Sequence, residues 1–278
     1  MKQDRARAAA LAERLCRPQR VGVFGHRGVG KTTLLTVLYR EAVGGRLGEL
    51  RLAAADARTA DYLSDKVLQL EAGQPLPATL GETELRFHLY HQGARFDLLV
   101  MDYQGEHVAV GRQEPIRDFL RECDAVWLCL DVPVAEAAGP RLRAQQEVEQ
   151  LVEDYLSAED GAAPPRPMAL VLTKSDLLED ANKALDELAD RRFDMTRHAL
   201  RLHSPHHGLF AVSSLGGPIE APGQAGFTPR PTGLDGPLAW LAGVLQAQDE
   251  ARLEQLWRLA PRDLRLLERC VHCFARRY

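Results

Sequence analysis

Apolar residues along the chain fall into two kinds of pattern, and the order of those patterns predicts the architecture. Short continuous runs at Arg20–Phe24, Ala125–Leu130, Ala169–Leu172 and Leu209–Val212 have the length and composition of buried strands. Thr83–Tyr90 and Arg95–Met101 are two further strand-like runs, joined by His91-Gln92-Gly93-Ala94. A short loop containing Gly between two such runs reads as a hairpin. Helical spacing marks Asp4–Leu15, Thr33–Glu41, Tyr62–Leu70, Pro115–Cys123, Arg141–Leu156 and Glu179–Leu202. In the second of these, Leu34, Leu35, Leu38 and Tyr39 share one side. Gly44–Leu80 has no clear pattern apart from its one helix, which Gln74-Pro75-Leu76-Pro77 ends.

One hairpin followed by alternating helices and strands predicts an α/β domain in three layers. Its sheet is mostly parallel, with one antiparallel edge strand. Ala158–Pro167 and Leu215–Gly233 read as Gly/Pro-rich loops. Asp235-Gly236-Pro237 reads as a helix start. Leu238, Leu241, Val244 and Leu245 then form a stripe, and after the break at Pro261 a second amphipathic stretch runs to Phe274. The expected organisation is an N-terminal helix over 1–17, a central α/β domain over 18–236, and a C-terminal helical appendage over 237–278.

Composition narrows the function classes. The chain has 278 residues, 45% of them hydrophobic, and a formal net charge of −4. No long basic block is present, which argues against nucleic acid as the main partner. The longest apolar runs fall far short of the ~20 residues that cross a bilayer, and charges interrupt the N-terminus as they would not in a signal peptide. The expectation is a cytoplasmic protein with no membrane partner. Five cysteines in a chain of this length do not form a disulfide framework, so reduced thiols are expected. Cys270-Val271-His272-Cys273 offers an incomplete zinc set. Cys270, Val271 and Phe274 read instead as the apolar side of a terminal helix, and Cys123 and Cys129 as core.

Four motifs carry chemistry. Gly25-His26-Arg27-Gly28-Val29-Gly30-Lys31-Thr32 fits G-x-x-x-x-G-K-[ST], preceded by a strand and followed by a helix. Its glycines let backbone N–H groups turn toward phosphate oxygens, and the helix carried on by Thr33 points its positive end at the same anion. Lys31 would neutralise the β and γ phosphates, and the Thr32 hydroxyl would ligate Mg²⁺. Asp102 follows a strand, where an acid holds Mg²⁺ through water, and Gly105 of Asp102-Tyr103-Gln104-Gly105 would give a backbone N–H to the γ-phosphate. Thr173-Lys174-Ser175-Asp176 fits N/T-K-x-D. The Asp176 carboxylate would accept from the guanine N1–H and amine, a donor pair that adenine lacks. Lys174 would pack along the base or over the phosphate loop. Ser213 and Ser214, at the end of the last strand, are placed to offer a backbone N–H to guanine O6.

GHRGVGKT, DYQG, TKSD and VSSL, in this order, resemble the translation-factor-related class of P-loop GTPases that includes Ras-like proteins, over about Arg20–Leu215. DARTAD at 56–61, QPLPAT at 74–79, DYQGE at 102–106 and LDGPLAW at 234–240 resemble the bacterial double-GTPase families linked to conflict systems. Only one set of motifs is visible here. The resemblance implies a Ras-like fold, GTP/GDP with Mg²⁺, and a protein effector or regulator encoded nearby. It also implies a switch-one Thr that ligates Mg²⁺, at Thr79 with Thr83 as the competitor.

Two departures from the Ras pattern matter. Glu106 stands where a Gln orients the attacking water. A carboxylate cannot donate to the γ-phosphate and would repel it, so slow hydrolysis is expected. Arg27 replaces a small residue in the loop and either lies over the phosphates as an internal arginine finger or points to solvent, the second being favoured. Three readings follow: a switch with slow, partner-stimulated GTP hydrolysis; a module that signals by occupancy with negligible hydrolysis; and a P-loop ATPase, against which TKSD argues.

Overall fold

In the computed structural model, the described residues are 2–77, 83–102, 113–133, 139–157, 166–177, 185–204, 206–217 and 227–278. The strands are β1 (Gln19–Phe24), β2 (Arg51–Ala54), β3 (Thr83–His91), β4 (Ala94–Asp102), β5 (Ala125–Asp131), β6 (Met168–Thr173) and β7 (His207–Val212). They form one sheet in the order β2-β3-β4-β1-β5-β6-β7. β4, β1, β5, β6 and β7 pair in parallel, and β3 runs antiparallel to both neighbours, β2 and β4.

Alternation along the strands divides the core. In β5, Ala125, Trp127 and Cys129 pack on one face of the sheet, while Val126, Leu128 and Leu130 pack on the other. β6 does the same with Ala169 and Val171 against Met168, Leu170 and Leu172. Both faces are dry, which is why these strands read as unbroken apolar runs. The first face is covered by α2 (Lys31–Val43), α3 (Ala57–Glu71) and the first half of α8 (Asp235–Leu259). The second is covered by α4 (Gln113–Glu122), α5 (Pro140–Ser157) and α7 (Asp194–His203), with α6 (Leu185–Arg192) preceding α7. This is the expected three-layer α/β fold. Toward the sheet edge, β3 alternates in the half-buried manner, with Leu85, Phe87 and Leu89 inward.

Three differences from the sequence reading have physical causes. β2 is a four-residue strand that pairs outside β3 within the segment left unassigned. The helix expected over Glu179–Leu202 is interrupted after Arg192, where buried Phe193 leaves helical geometry and heads α7. The expectation of reduced thiols is corrected for one pair: Cys16 of α1 (Lys2–Cys16) is bonded to Cys273 of α9 (Leu264–Ala275), with 5.3 Å between their Cα atoms. This pairing joins positions 257 apart in sequence, so it depends on how the terminal helices pack and not on spacing. Cys123, Cys129 and Cys270 are buried and form no disulfide. Val271 is 40% exposed, so the apolar side of α9 does not include it; Cys270 and Leu267 pack there against Ala8, Ala12 and Leu15 of α1.

A buried ionic network lies at the N-terminal ends of the central strands. Asp124, just before β5, accepts from Arg17 at 2.8 Å and Arg252 at 2.7 Å. Asp249 of α8 accepts from Gln19 at 2.9 Å, Arg252 at 3.1 Å and Arg277. Both carboxylates are fully buried. Arg277 also donates to the Arg17 carbonyl at 2.6 Å, so both terminal segments meet the foot of β1 here.

Candidate functional site

The site forms at the opposite end of the same strands. β1 delivers the chain to Gly25 beside β5, where a Cβ would come within 2.4 Å of the Cys129 carbonyl oxygen. Only glycine allows the loop to turn so close to its neighbour. Gly30, with φ 99°, is the N-cap of α2, and no side chain caps the helix. A left-handed residue there exposes the first helical N–H groups and leaves them to an anion.

Lys31 is buried, and its ammonium donates to the carbonyls of Gly25 at 2.9 Å and His26 at 3.2 Å. The side chain thus folds back across its own loop, at the place where phosphates would bind. Thr32, in the first turn of α2, is half-buried, and Thr33 lines the pocket described below. Arg27 and Gly28 are exposed. His26 is buried, with Nδ1 2.7 Å from the Arg27 carbonyl oxygen and Nε2 without a partner among the described residues. Burial lowers its pKa and favours the neutral ring.

β6 ends on the Thr173–Asp176 motif. The Thr173 hydroxyl lies 2.7 Å from the Val29 carbonyl oxygen and 3.0 Å from that of Leu130, tying β6 to the phosphate loop and to β5. Lys174 has φ 56°, unusual for a residue with a side chain. Its ammonium donates to the Gly28 carbonyl at 2.9 Å and to the carboxylate of Asp131, the last residue of β5. Asp176 is exposed, within the 3₁₀ turn Ser175–Leu177.

The last strand completes the wall. Ser213 is buried, its N–H donates to the Thr232 carbonyl at 3.1 Å, and its hydroxyl accepts from Gly216 N–H at 2.9 Å. With Ser213 so engaged, Ser214 is the one of the pair that faces the pocket. A cavity of about 250 Å³ is lined by Val29, Gly30 and Thr33 of the first motif, Thr173, Lys174, Asp176 and Leu177 of the second, and Ser214, Leu215 and Gly217 of the third.

Three segments far apart in sequence, each singled out for its motif, therefore converge on one cavity. Asp102 ends β4 in register with Val23 of β1, so it reaches the same edge of the sheet as the phosphate loop. Thr79, Gly105 and Glu106 lie outside the described residues. Thr83, the alternative to Thr79, opens β3 and pairs with Asp102. The sequence does not single out Asp131, which ends β5 beside Thr173.

The donor set suits a nucleoside triphosphate. The uncapped N-terminus of α2 and the Lys31 ammonium supply positive character for phosphate, and Asp176 lines the cavity beside them. The Thr32 hydroxyl is a hard oxygen ligand of the kind Mg²⁺ takes, and Asp102 lies at the same strand ends. No helix among the described residues is long and apolar enough to cross a membrane. No curated protein matches the chain. The model of the family described as Double-GTPase 2 matches residues 19–217, which include the phosphate loop, the base-reading motif and the serine pair. The chain belongs to this Double-GTPase 2 family and carries a GTP-binding domain of P-loop type.

Proposed function

We propose that the protein is a GTP-operated switch with slow intrinsic hydrolysis, raised by a protein partner encoded nearby. The observation that carries this reading is the convergence of phosphate loop, TKSD turn and Ser214 on one cavity. In this reading the N–H groups from Gly28 to Thr33 and the Lys31 ammonium hold the phosphates. Asp176 reads the guanine N1–H and amine. Bound Mg²⁺ would shield the phosphate charge, held by Thr32 and Asp102 with Thr79 sensing the γ-phosphate, while Gly105 offers that phosphate an N–H. Glu106 in place of a water-orienting Gln supports slow turnover, because each ~1.4 kcal/mol added to the barrier slows the step tenfold. Arg27 is exposed in the loop, which supports the reading that it points to solvent over the one that lays it across the phosphates.

The test is the nucleotide content and GTP turnover of the purified protein, alone and with the proteins encoded beside it. Expected are co-purified guanine nucleotide, slow turnover alone and faster turnover with one partner. Glu106→Gln should raise the single-turnover rate about tenfold or less. Fast turnover alone, unchanged by Glu106→Gln or Arg27→Ala, would contradict the slow-switch reading. The search for the catalytic group would then move to the segment 51–79, where Arg58, in the first turn of α3, is the first residue to try.

A further inference from the structure

We propose that Asp131 is a positioning residue for base recognition, a buried anchor that holds Lys174 and thereby sets where Asp176 meets the base. The inference rests on the guanine-nucleotide reading of the pocket and adds to it a residue that does not line that pocket.

β5 lies between β1, which carries the phosphate loop, and β6, which carries the base-reading turn. Asp131 is in register with Thr173, the first residue of that turn. Its side chain is only 2% exposed, and one oxygen accepts from the Lys174 ammonium. The other oxygen has no hydrogen-bond partner among the described residues. Its backbone N–H donates to the Gln145 amide oxygen at 2.9 Å, which fastens the strand end to α5. The buried imidazole of His26 favours the neutral form and so supplies no compensating charge. A dry carboxylate is costly unless a cation meets it. Lys174 is that cation.

Lys174 in turn needs holding. Its φ of 56° is a left-handed conformation that costs a side-chain-bearing residue about 1 kcal/mol or more. The ammonium grips Asp131 on one side and the Gly28 carbonyl on the other, so the side chain forms a strut from β6 across β5 to the phosphate loop. Two residues further on, Asp176 hangs from this strained start on an exposed turn. Without the anchor, Lys174 keeps a neutral carbonyl as its remaining partner, and the backbone that presents Asp176 loosens.

The test is a double-mutant cycle with Asp131→Asn, Lys174→Met and the pair, in full-length protein with Mg²⁺. It reads dissociation of a fluorescent GDP and competition of GTP against ATP. Asp131→Asn should speed GDP release about tenfold, as expected for losing a charge-assisted hydrogen bond, and should weaken the preference for GTP over ATP. In the Lys174→Met background the same substitution should change release by less than about twofold, because its route is already gone. Should Asp131→Asn fail to fold, Asp131→Ser serves in its place. GDP release at the unmodified rate, or an equal multiplication of release in both backgrounds, would overturn the inference while leaving the pocket's reading standing. Failure of the unmodified protein to bind GDP or GTP would overturn that reading and this inference together.

Discussion

The two ends of the central strands hold their cations differently. At the N-terminal ends, Arg17, Arg252 and Arg277 are bonded to the buried carboxylates of Asp124 and Asp249. At the C-terminal ends, Lys31 donates to two backbone carbonyls of its own loop, and Lys174 divides itself between a carbonyl and Asp131. Charge bonded to buried charge is a structural lock, since removing one partner strands the other in a dry interior. The carbonyl contacts of an ammonium are neutral, and exchanging them for a phosphate strands no charge. The lower end holds the terminal helices to the sheet, and the upper end carries the phosphate loop and the cavity.

Breaking the lower lock gives the largest expected effect. Asp249→Ala leaves Arg277 and Arg252 without their shared acceptor and should cost about 3–5 kcal/mol of stability. Denaturant unfolding measures this, and nucleotide affinity below the transition should stay unchanged. A near-neutral result would remove the contrast between the ends.

Lys31→Ala sharpens the contrast from the other side. It should lower GTP affinity on the order of a hundredfold, with melting of the nucleotide-free protein nearly unaltered. Thermal melting by circular dichroism beside a binding titration separates the two. Loss of the fold without nucleotide would make Lys31 structural, like the arginines below.

A smaller effect concerns a charge that neither end satisfies. Burial pushes the Glu149 carboxyl on α5 up to about 7, with Glu153 and Asp194 adding repulsion. The Thr196 hydroxyl, whose single proton cannot serve both acids, lies 3.1 Å from Glu149 and 3.0 Å from Glu153. Because the folded value stands above the unfolded one of 4.5, the folded state binds the proton more tightly. That contribution is full below about pH 4.5 and is lost as pH rises through about 7. Between pH 5 and 8 stability from this group should fall by about 2 kcal/mol. Glu149→Gln should flatten the trend in thermal melts, and an unchanged slope would contradict it.

The legibility of the sequence follows the same division. β1, β5 and β6 could be read because both of their faces are buried, which leaves an unbroken apolar run. β2 could not, since Arg51-Leu52-Ala53-Ala54 buries Leu52 alone. The phosphate loop and TKSD were legible because their chemistry is local: glycines at fixed offsets, and an acid after a strand. Asp131 and the Cys16–Cys273 bond were not, because each acquires its meaning from a neighbour that only the folded sheet or the packed terminal helices supply. The Arg17–Asp124–Arg252–Asp249–Arg277 network is the extreme case, since its members lie up to 260 residues apart along the chain.

Base choice tests the central claim most directly, because it depends on the carboxylate at the mouth of the cavity. Competition binding with GTP, XTP and ATP should be run on the unmodified protein and on Asp176→Asn. The unmodified protein should prefer GTP. The substitution should weaken GTP and move preference toward XTP, whose ring replaces the guanine amine donor with a carbonyl acceptor. If ATP outcompetes GTP on the unmodified protein, the cavity is not a guanine site and the account fails.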